Sequence, residues 1–232
     1  MGDYSGLIGQ HYNLYERISS PTLQIVMANT VAKYLAEKNI PRPLIVDLGC
    51  GNGRSMEHIL RTCQGDVIGV DCEPVMLTQA RKRLEEYCGR VLLVESDVLG
   101  LPMQIIKRIR PDVIASAEMI HNLPPEQRLL VYERVFYALD GGFFVNADKF
   151  ALDNGEEHRK NFLSAISTFE ALNEMGMPEL RDAWLRHMER DETQGYKQYV
   201  GETADLLNRI GFKNVEVVWR EGLFAIIRGI KP

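Results

Sequence analysis

Hydrophobic residues along this chain are arranged in two alternating kinds of segment. Short continuous apolar runs, such as Leu44–Val46, Val67–Val70 and Val91–Val94, are separated by stretches in which apolar residues recur every three or four positions. Continuous runs are typical of strands buried on both faces, and the longer recurrence is typical of amphipathic helices. Runs at 113–115 and 143–145 continue the alternation. The pattern predicts a doubly wound α/β fold with a mostly parallel sheet between layers of helices.

The C-terminal end departs from this rhythm. After a helical stretch that ends at Gly211, two apolar-rich runs at 215–219 and 224–227 follow with only a short link between them. A link of this length permits a hairpin but is too short for a parallel crossover. We therefore expect the sheet to end in an antiparallel β-hairpin.

Two further segments lie outside the alternation, and we expect both to belong to one domain over residues 1–232. Residues 1–40 are predicted to form an N-terminal helical segment, and residues 155–195 a helical insertion. The insertion has more apolar surface, at helical spacing, than a solvated loop requires. We expect it to cap the carboxyl edge of the sheet, over a substrate pocket. The residues predicted to bind substrate are Tyr12, Phe162, Phe169 and Trp184.

Composition narrows the class of protein. The chain has 232 residues, a net charge of −5 and four cysteines. An acidic balance argues against general binding to nucleic acid, and no apolar run approaches the length of a membrane span. Without a signal-like N-terminus or a C-x-x-C pair, we expect reduced thiols and a cytoplasmic protein with no membrane contact. The sequence is also compatible with a homodimer.

The strongest chemical signal is a glycine-rich turn. Residues 46–53, Val-Asp-Leu-Gly-Cys-Gly-Asn-Gly, lead from a predicted strand to the start of a helix. Glycines allow the backbone to approach a ligand closely there. The third glycine of a dinucleotide-binding fingerprint would fall at Arg54, so that fingerprint is incomplete. Asp47, two residues before Gly49, would repel a pyrophosphate but suits a ligand with an ammonium and a sulfonium group.

Two more carboxylates follow the next strands. Asp71 ends the second strand, where a carboxylate can accept hydrogen bonds from both hydroxyls of a ribose. A nicotinamide-binding protein would carry the same acid, so Asp71 alone does not identify the cofactor. Asp97 follows the third strand and can accept from an adenine amino group while the backbone N–H of Val98 reaches a ring nitrogen. Alternatively, Asp97 only caps the segment after it.

Together with Asp112–Ala115 and Leu139–Gly142, these motifs resemble those of the class I S-adenosylmethionine-dependent methyltransferases, which have a Rossmann-like fold. The resemblance covers about residues 40–150 and is specific in combination. The insertion and the C-terminal end are loosely similar to carboxy-S-adenosylmethionine synthase and its relatives. The family likeness implies S-adenosyl-L-methionine as cofactor and S-adenosyl-L-homocysteine as product. The residues it implies for cofactor binding are Asp47, Gly49, Cys50, Gly51, Asp71, Cys72, Met76, Asp97, Val98 and Ala117.

A methyl group on a sulfonium is already electrophilic, so the protein must mainly hold the acceptor in line with it. Glu118 and His121 follow the fourth strand, outside the carboxyl ends of the strands, and are the candidate catalytic residues. The sequence leaves open whether His121 removes a proton or only orients the loop. His158 and His187 show no cysteine or carboxylate partner at metal-ligand spacing, so no metal site is predicted.

The sequence therefore predicts a methyltransferase that acts on a small-molecule acceptor by in-line displacement. One alternative is another enzyme on the same cofactor site, a carboxy-S-adenosylmethionine synthase-like or tRNA-modification enzyme. The acidic insertion counts against tRNA as substrate. A second alternative is a non-catalytic partner subunit of the same fold, which the intact set of Asp47, Asp71 and Asp97 makes less favourable.

Overall fold

The structure is a computed structural model that describes residues 3–20, 22–193 and 195–232. Residues 21 and 194, which fall in the two predicted helical segments, lie outside the described residues. The strands are β1 Leu44–Leu48, β2 Asp66–Asp71, β3 Val91–Glu95, β4 Val113–Ala117, β5 Gly142–Lys149, β6 Lys213–Glu221 and β7 Phe224–Lys231. The helices are α1 Leu7–Gln10, α2 Tyr12–Ile18, α3 Thr22–Glu37, α4 Arg54–Thr62, α5 Pro74–Arg83, α6 Met103–Ile109, α7 Pro125–Ala138, α8 Gly155–Ser167, α9 Glu170–Glu174, α10 Pro178–Asp191 and α11 Val200–Ile210.

The strands form one seven-stranded sheet in the order β3-β2-β1-β4-β5-β7-β6. Strands β1 to β5 are parallel, and β7 pairs antiparallel with both β5 and β6. The predicted fold class, including the antiparallel hairpin at the end, is confirmed. The strand order reverses between β1 and β4, and ligands of such sheets bind at the carboxyl ends of the strands beside this reversal.

Burial on both faces explains why the strands are continuous apolar runs. Ile45 and Val46 are adjacent in β1 and point to opposite faces, yet both are fully buried. The same holds for Phe143 and Phe144 in β5. Each residue of such a pair belongs to a different hydrophobic cluster, one on each side of the sheet.

A third hydrophobic cluster lies away from the sheet and joins the N-terminal helices to the insertion. Ile8 of α1 packs there with Phe169, Leu172, Leu180 and Trp184 of the insertion segment. The two segments that the sequence set apart from the alternation therefore share one small core. We call this cluster the cap core.

Two details differ from the sequence-based expectation. Helix α6, Met103–Ile109, lies between β3 and β4, in a stretch to which the apolar pattern alone assigned no element. Strand β5 continues to Lys149 instead of ending near Val145, because Asn146 to Lys149 are buried and pair with β7. Polar residues in these buried positions interrupt the apolar run that marked the strand. Among the described helices, none is both long and apolar enough to cross a membrane.

Candidate active site

The turn between β1 and α4 is shaped by its glycines. Gly49, Gly51 and Gly53 have φ angles of +71°, +52° and +81°, in the region that favours glycine. A Cβ atom at Gly49 would lie 2.2 Å from Cγ of Met119, in the loop after β4. The backbone N–H groups of Gly49 and Cys50 donate to the carbonyl of Val70 at the end of β2, at 2.8 and 3.0 Å. The turn is therefore packed between two neighbouring strand ends.

Asp47 lies beneath this turn and is completely buried. Its Oδ2 accepts a hydrogen bond from Oγ of Ser55 at 2.8 Å. Its Oδ1 has no hydrogen-bond partner among the described residues. Burial raises the pKa of the Asp47 carboxyl to about 7, against the smaller lowering effect of the Ser55 hydrogen bond. A buried carboxylate oxygen without a donor is costly, so a cationic ligand group fits this position.

Asp71 ties the glycine turn to the next loop. Its two carboxylate oxygens accept from the backbone N–H groups of Gly51 and Glu73, at 2.8 and 2.9 Å. Burial raises the pKa of Asp71, and these backbone hydrogen bonds oppose the rise. A carboxylate oxygen can accept more than one hydrogen bond, so both oxygens keep capacity for a ligand.

The other predicted cofactor residues lie around the same edge of the sheet but differ in exposure. Asp97 is exposed and accepts from the N–H of Leu99 at 2.9 Å, while Val98 beside it is buried. Cys50 and Met76 are buried, Ala117 is half-buried and Cys72 is exposed. Their contacts with a cofactor stay predictions.

Glu118, the first catalytic candidate, follows β4 in a left-handed conformation with φ of +52°. Non-glycine residues in this region carry backbone strain, which is concentrated at functional sites. Oε2 of Glu118 accepts from Nε2 of Gln24 at 2.5 Å. The phenol groups of Tyr4, Tyr12 and Tyr15 also face this carboxylate, since burial first and then Glu118 raise the pKa of each.

His121, the second candidate, is buried and held by Asp148 at the end of β5. Nδ1 of His121 lies 2.5 Å from Oδ1 of Asp148, and its backbone N–H donates to Oδ2 at 3.0 Å. The backbone N–H of Lys149 also donates to Oδ1 of Asp148, at 2.9 Å. Burial acts to lower the pKa of His121, but the Asp148 and Asp191 carboxylates together outweigh it, so the pKa lies above its ordinary value.

Helix α10 brings two more groups to His121. Oδ2 of Asp191 lies 3.7 Å from Nε2 of His121 and 3.7 Å from Nε2 of His187. The expectation that His187 and His158 lack carboxylate partners was wrong. Asp191 lies one helical turn after His187, and Oε2 of Glu192 lies 2.7 Å from Nε2 of His158. The four-residue spacing on a predicted helix was the signal that could have revealed the first pair.

The same geometry bears on metal binding. One ligand atom each of His121, His187 and Asp191 lies within 4.8 Å of the others, which is close enough to surround a metal ion. However, Nζ of Lys149 lies 3.4 Å and Nη2 of Arg190 3.2 Å from the Asp191 carboxylate. These cations oppose a divalent ion at this position. The absence of a metal stays a prediction.

Three of the four predicted substrate residues meet in the cap core. The rings of Tyr12 and Phe169 lie 6.0 and 5.5 Å from that of Trp184, and the Tyr15 ring stacks on Trp184 at 4.3 Å. Phe162 lies apart from them on α8, with its ring centre 5.8 Å from Nζ of Lys149. Whether any of them binds substrate stays a prediction.

Comparison with known proteins gives the family. Residues 45–142 match the family model described as a methyltransferase domain. Magnesium protoporphyrin IX methyltransferase from Synechocystis PCC 6803, solved with bound S-adenosylmethionine, has a similar fold, with a TM-score of 0.59 at 14% identity over 91% of this chain and 81% of that one. Together, the domain match and the shared fold support assignment to the class I S-adenosylmethionine-dependent methyltransferases. The family resemblance expected from the sequence, and with it the expectation of an enzyme, is confirmed.

Two groups of known proteins are similar to this chain in sequence. It is 23% identical over 189 residues to the carboxy-S-adenosyl-L-methionine synthase of Nautilia profundicola, covering 81% of this chain and 76% of the relative. It is 42% identical over 73 residues to the trans-aconitate 2-methyltransferase of Acidovorax ebreus, covering 31% of this chain and 26% of the relative. The long match follows the whole domain, and the short match is limited to one part of it.

Proposed function

We propose that this methyltransferase binds S-adenosylmethionine at the glycine turn and transfers its methyl group to a small-molecule acceptor. The observation that carries the proposal is Oδ1 of Asp47, a buried oxygen to which no described residue donates, beneath a turn of left-handed glycines. The ammonium group of the cofactor would offset this cost, whereas a pyrophosphate would add a second negative charge. When bound, the cofactor supplies an electrophilic methyl group and leaves as S-adenosylhomocysteine.

The remaining cofactor contacts follow from the positions at the sheet edge. The backbone of Gly49 and Gly51 would line the methionine part, because neither residue has a side chain of its own to hold the ligand away from the backbone. Asp71 would accept from the ribose hydroxyls with the capacity left on its oxygens. Asp97 and the N–H of Val98 would pair with the adenine edge.

The burial of the candidate catalytic groups supports a small acceptor. His121 is 7% exposed and Asp191 is 5% exposed, so an acceptor atom that meets them must fit beneath α10. We infer that α1, α2 and the insertion together form a cap over the acceptor. The relative named trans-aconitate 2-methyltransferase, whose named substrate is a small molecule, supports the same size class. A cytoplasmic location and a homodimer remain predictions from the sequence.

Carboxy-S-adenosylmethionine synthesis is the second candidate, because the match to a synthase covers most of both chains. A synthase of this kind makes a cofactor with an added carboxylate, which calls for a cationic partner in the site. Three cations near the candidate site already have protein partners: Lys149 lies 3.4 Å from Asp191, Arg54 lies 3.8 Å from Glu16, and Arg128 donates to backbone carbonyls. This counts in favour of methyl transfer.

Calorimetric titration and mass spectrometry test the proposal together. The wild-type protein should bind S-adenosylmethionine and S-adenosylhomocysteine, and Asp47→Asn should weaken binding of both without unfolding the protein. Incubation with S-adenosylmethionine and a panel of small hydroxyl, amine and carboxylate acceptors should yield S-adenosylhomocysteine. A co-purified carboxylated cofactor would favour the synthase reaction, and a bound nicotinamide dinucleotide would overturn both.

A further inference from the structure

We propose that Asp148 positions His121 as a general base for an acceptor hydroxyl group, an inference that rests on the proposed methyl transfer. Asp148 was absent from the residues that the sequence pattern selected. It is fully buried at the end of β5, and both of its oxygens are used to hold His121 or the adjacent backbone. A side chain that fixes the ring and the backbone of the same residue fixes the direction in which the ring points.

The hydrogen bond to Asp148 determines which nitrogen of His121 carries the proton. An ionised carboxylate only accepts hydrogen bonds, so Nδ1, which lies 2.5 Å from Oδ1 of Asp148, must be the donor. In the neutral ring the lone pair then belongs to Nε2. A base held in one tautomer by a carboxylate behind it has the arrangement of the histidine in a nucleophile-base-orienter set.

Nε2 of His121 makes no hydrogen bond of ordinary length with a described residue. The nearest carboxylate oxygen on that side, Oδ2 of Asp191, is 3.7 Å away, beyond the range of about 2.7–3.2 Å for a direct hydrogen bond. An oxygen placed between them could donate to Nε2 and lie within reach of Asp191. A cavity of about 10 Å³ borders His121, Lys149 and Asp191, which is about the space of one water-sized group.

Several charged groups surround the imidazole and would shape its titration. Asp148 and Lys149 lie on β5, and Asp191 lies on α10. Arg128 of α7 donates through Nη2 to the backbone carbonyl of His121 at 2.9 Å. The other titratable groups near the ring are Glu118 after β4 and His187 on α10.

The proposed reaction is a simple displacement at the methyl carbon. Nε2 of His121 takes the proton of the acceptor hydroxyl as the oxygen forms a bond to the methyl carbon. The bond from that carbon to sulfur breaks, and its electron pair stays on sulfur, which becomes a neutral thioether. The imidazolium then releases its proton to water. A hydroxyl needs such a base because its lone pair is a weak nucleophile while the proton remains.

The first test needs no acceptor. Nitrogen-15 NMR of the imidazoles in the wild-type protein with S-adenosylhomocysteine should show His121 protonated on Nδ1 when neutral. In Asp148→Asn, the pKa of His121 should fall and the tautomer preference should weaken, while affinity for S-adenosylhomocysteine stays near wild type. The matched control is His58→Asn, which removes an imidazole on α4 that borders none of these groups and should leave the His121 signals unchanged.

The second test is turnover once a hydroxyl acceptor is found. Asp148→Asn and His121→Ala should each lower kcat by about 10²-fold or more, with KM for S-adenosylmethionine within a few-fold of wild type. The acidic limb of the pH–rate profile should move in Asp148→Asn and disappear in His121→Ala. His58→Asn should keep the wild-type rate and profile.

The outcomes separate this inference from the proposed function. If the protein binds neither S-adenosylmethionine nor S-adenosylhomocysteine, the proposed function fails first. If it binds them but His121 titrates identically in wild type and Asp148→Asn, the positioning role is overturned. Stoichiometric binding of Zn²⁺ or Mn²⁺ that is lost in His187→Asn and Asp191→Asn would also overturn it, because His121 would then be a metal ligand.

Discussion

The cofactor edge and the acceptor side of this methyltransferase are assembled in opposite ways. The cofactor edge comes from residues 47–98, in which three successive parallel strands each end in a candidate ligand. The acceptor side joins residues far apart in the chain, such as Tyr15 with Trp184 and His121 with Asp148. The first region depends on local turns within a regular sheet, and the second depends on how separate elements pack.

This difference has a consequence for mutational sensitivity. A change at the cofactor edge acts on one turn and the strand ends beside it. A change in the cap core acts on two distant segments at once, because α1 and α2 have the insertion helices as their apolar partner. Mutations in the two regions should therefore have distinguishable effects on local stability.

The largest effect is expected for Trp184→Ala in the cap core. Trp184 is 3% exposed and stacks on Tyr15 and Phe169, so its loss should cost about 3–5 kcal/mol of local stability. Hydrogen exchange should speed up in α1, α2 and α10 but stay unchanged in β1 and β2. Phe162→Ala, at the half-buried position outside the cluster, is the control and should have little effect. Equal loss of protection across the sheet would show that the two regions unfold together.

A glycine pair tests how tightly the cofactor edge is built. Gly49 and Gly141 have nearly the same φ, +71° and +70°. A Cβ at Gly49 would meet Met119 at 2.2 Å, whereas one at Gly141 would meet nothing within 4 Å. Gly49→Ala should therefore cost about 1–3 kcal/mol more than Gly141→Ala in urea unfolding, and it alone should weaken cofactor binding. Equal costs would mean that the Met119 loop moves aside freely.

Two carboxylates at the cofactor edge should contribute unequally to the affinity for S-adenosylmethionine. Asp71→Ala should weaken S-adenosylmethionine binding by about 1.5–3 kcal/mol, because a half-buried, charge-assisted acceptor is lost together with its bond to Gly51. Asp97→Ala should cost about 0.5–1.5 kcal/mol, since Asp97 is exposed. Calorimetric titration of both variants checks the order. A larger loss for Asp97 would contradict the assignment of Asp71 to the ribose.

A further prediction concerns pH and Asp47. Its pKa in the folded protein is about 7, against 3.8 as the ordinary value, because burial disfavours the charged form. Between these values the folded state binds a proton more strongly than the unfolded state, so stability without cofactor should fall as pH rises through that window.

Cofactor binding should show the opposite trend. An ammonium group favours the ionised carboxylate, so affinity should rise about tenfold from pH 6 to pH 8 and then level off. Calorimetry in buffers of different ionisation enthalpy would detect the released proton. Asp47→Asn should remove both dependences, and their persistence in that variant would assign them to another group.

The cofactor edge and the acceptor side also differ in how much of each could be predicted from the sequence. The glycine turn, Asp71 and the final hairpin were predictable because each depends on residues that are neighbours in the chain or on strand ends that a parallel sheet must bring together. Asp148 was missed because the apolar run of β5 ends at Val145, three positions earlier, although the strand continues. Asp191 was missed because its partnership with His121 depends on the packing of α10. The grouping of Tyr12 with Trp184 required the tertiary structure for the same reason.

The cap core has a consequence for the order in which the molecule is made. A ribosome releases α1 and α2 first, but their apolar partners in the insertion, up to Trp184, emerge more than 150 residues later. At about 5–20 residues per second, the N-terminal helices wait roughly 10 to 30 s with an exposed apolar face. During that interval the five parallel strands can form, so the cofactor edge is completed before the helices that will enclose it can dock.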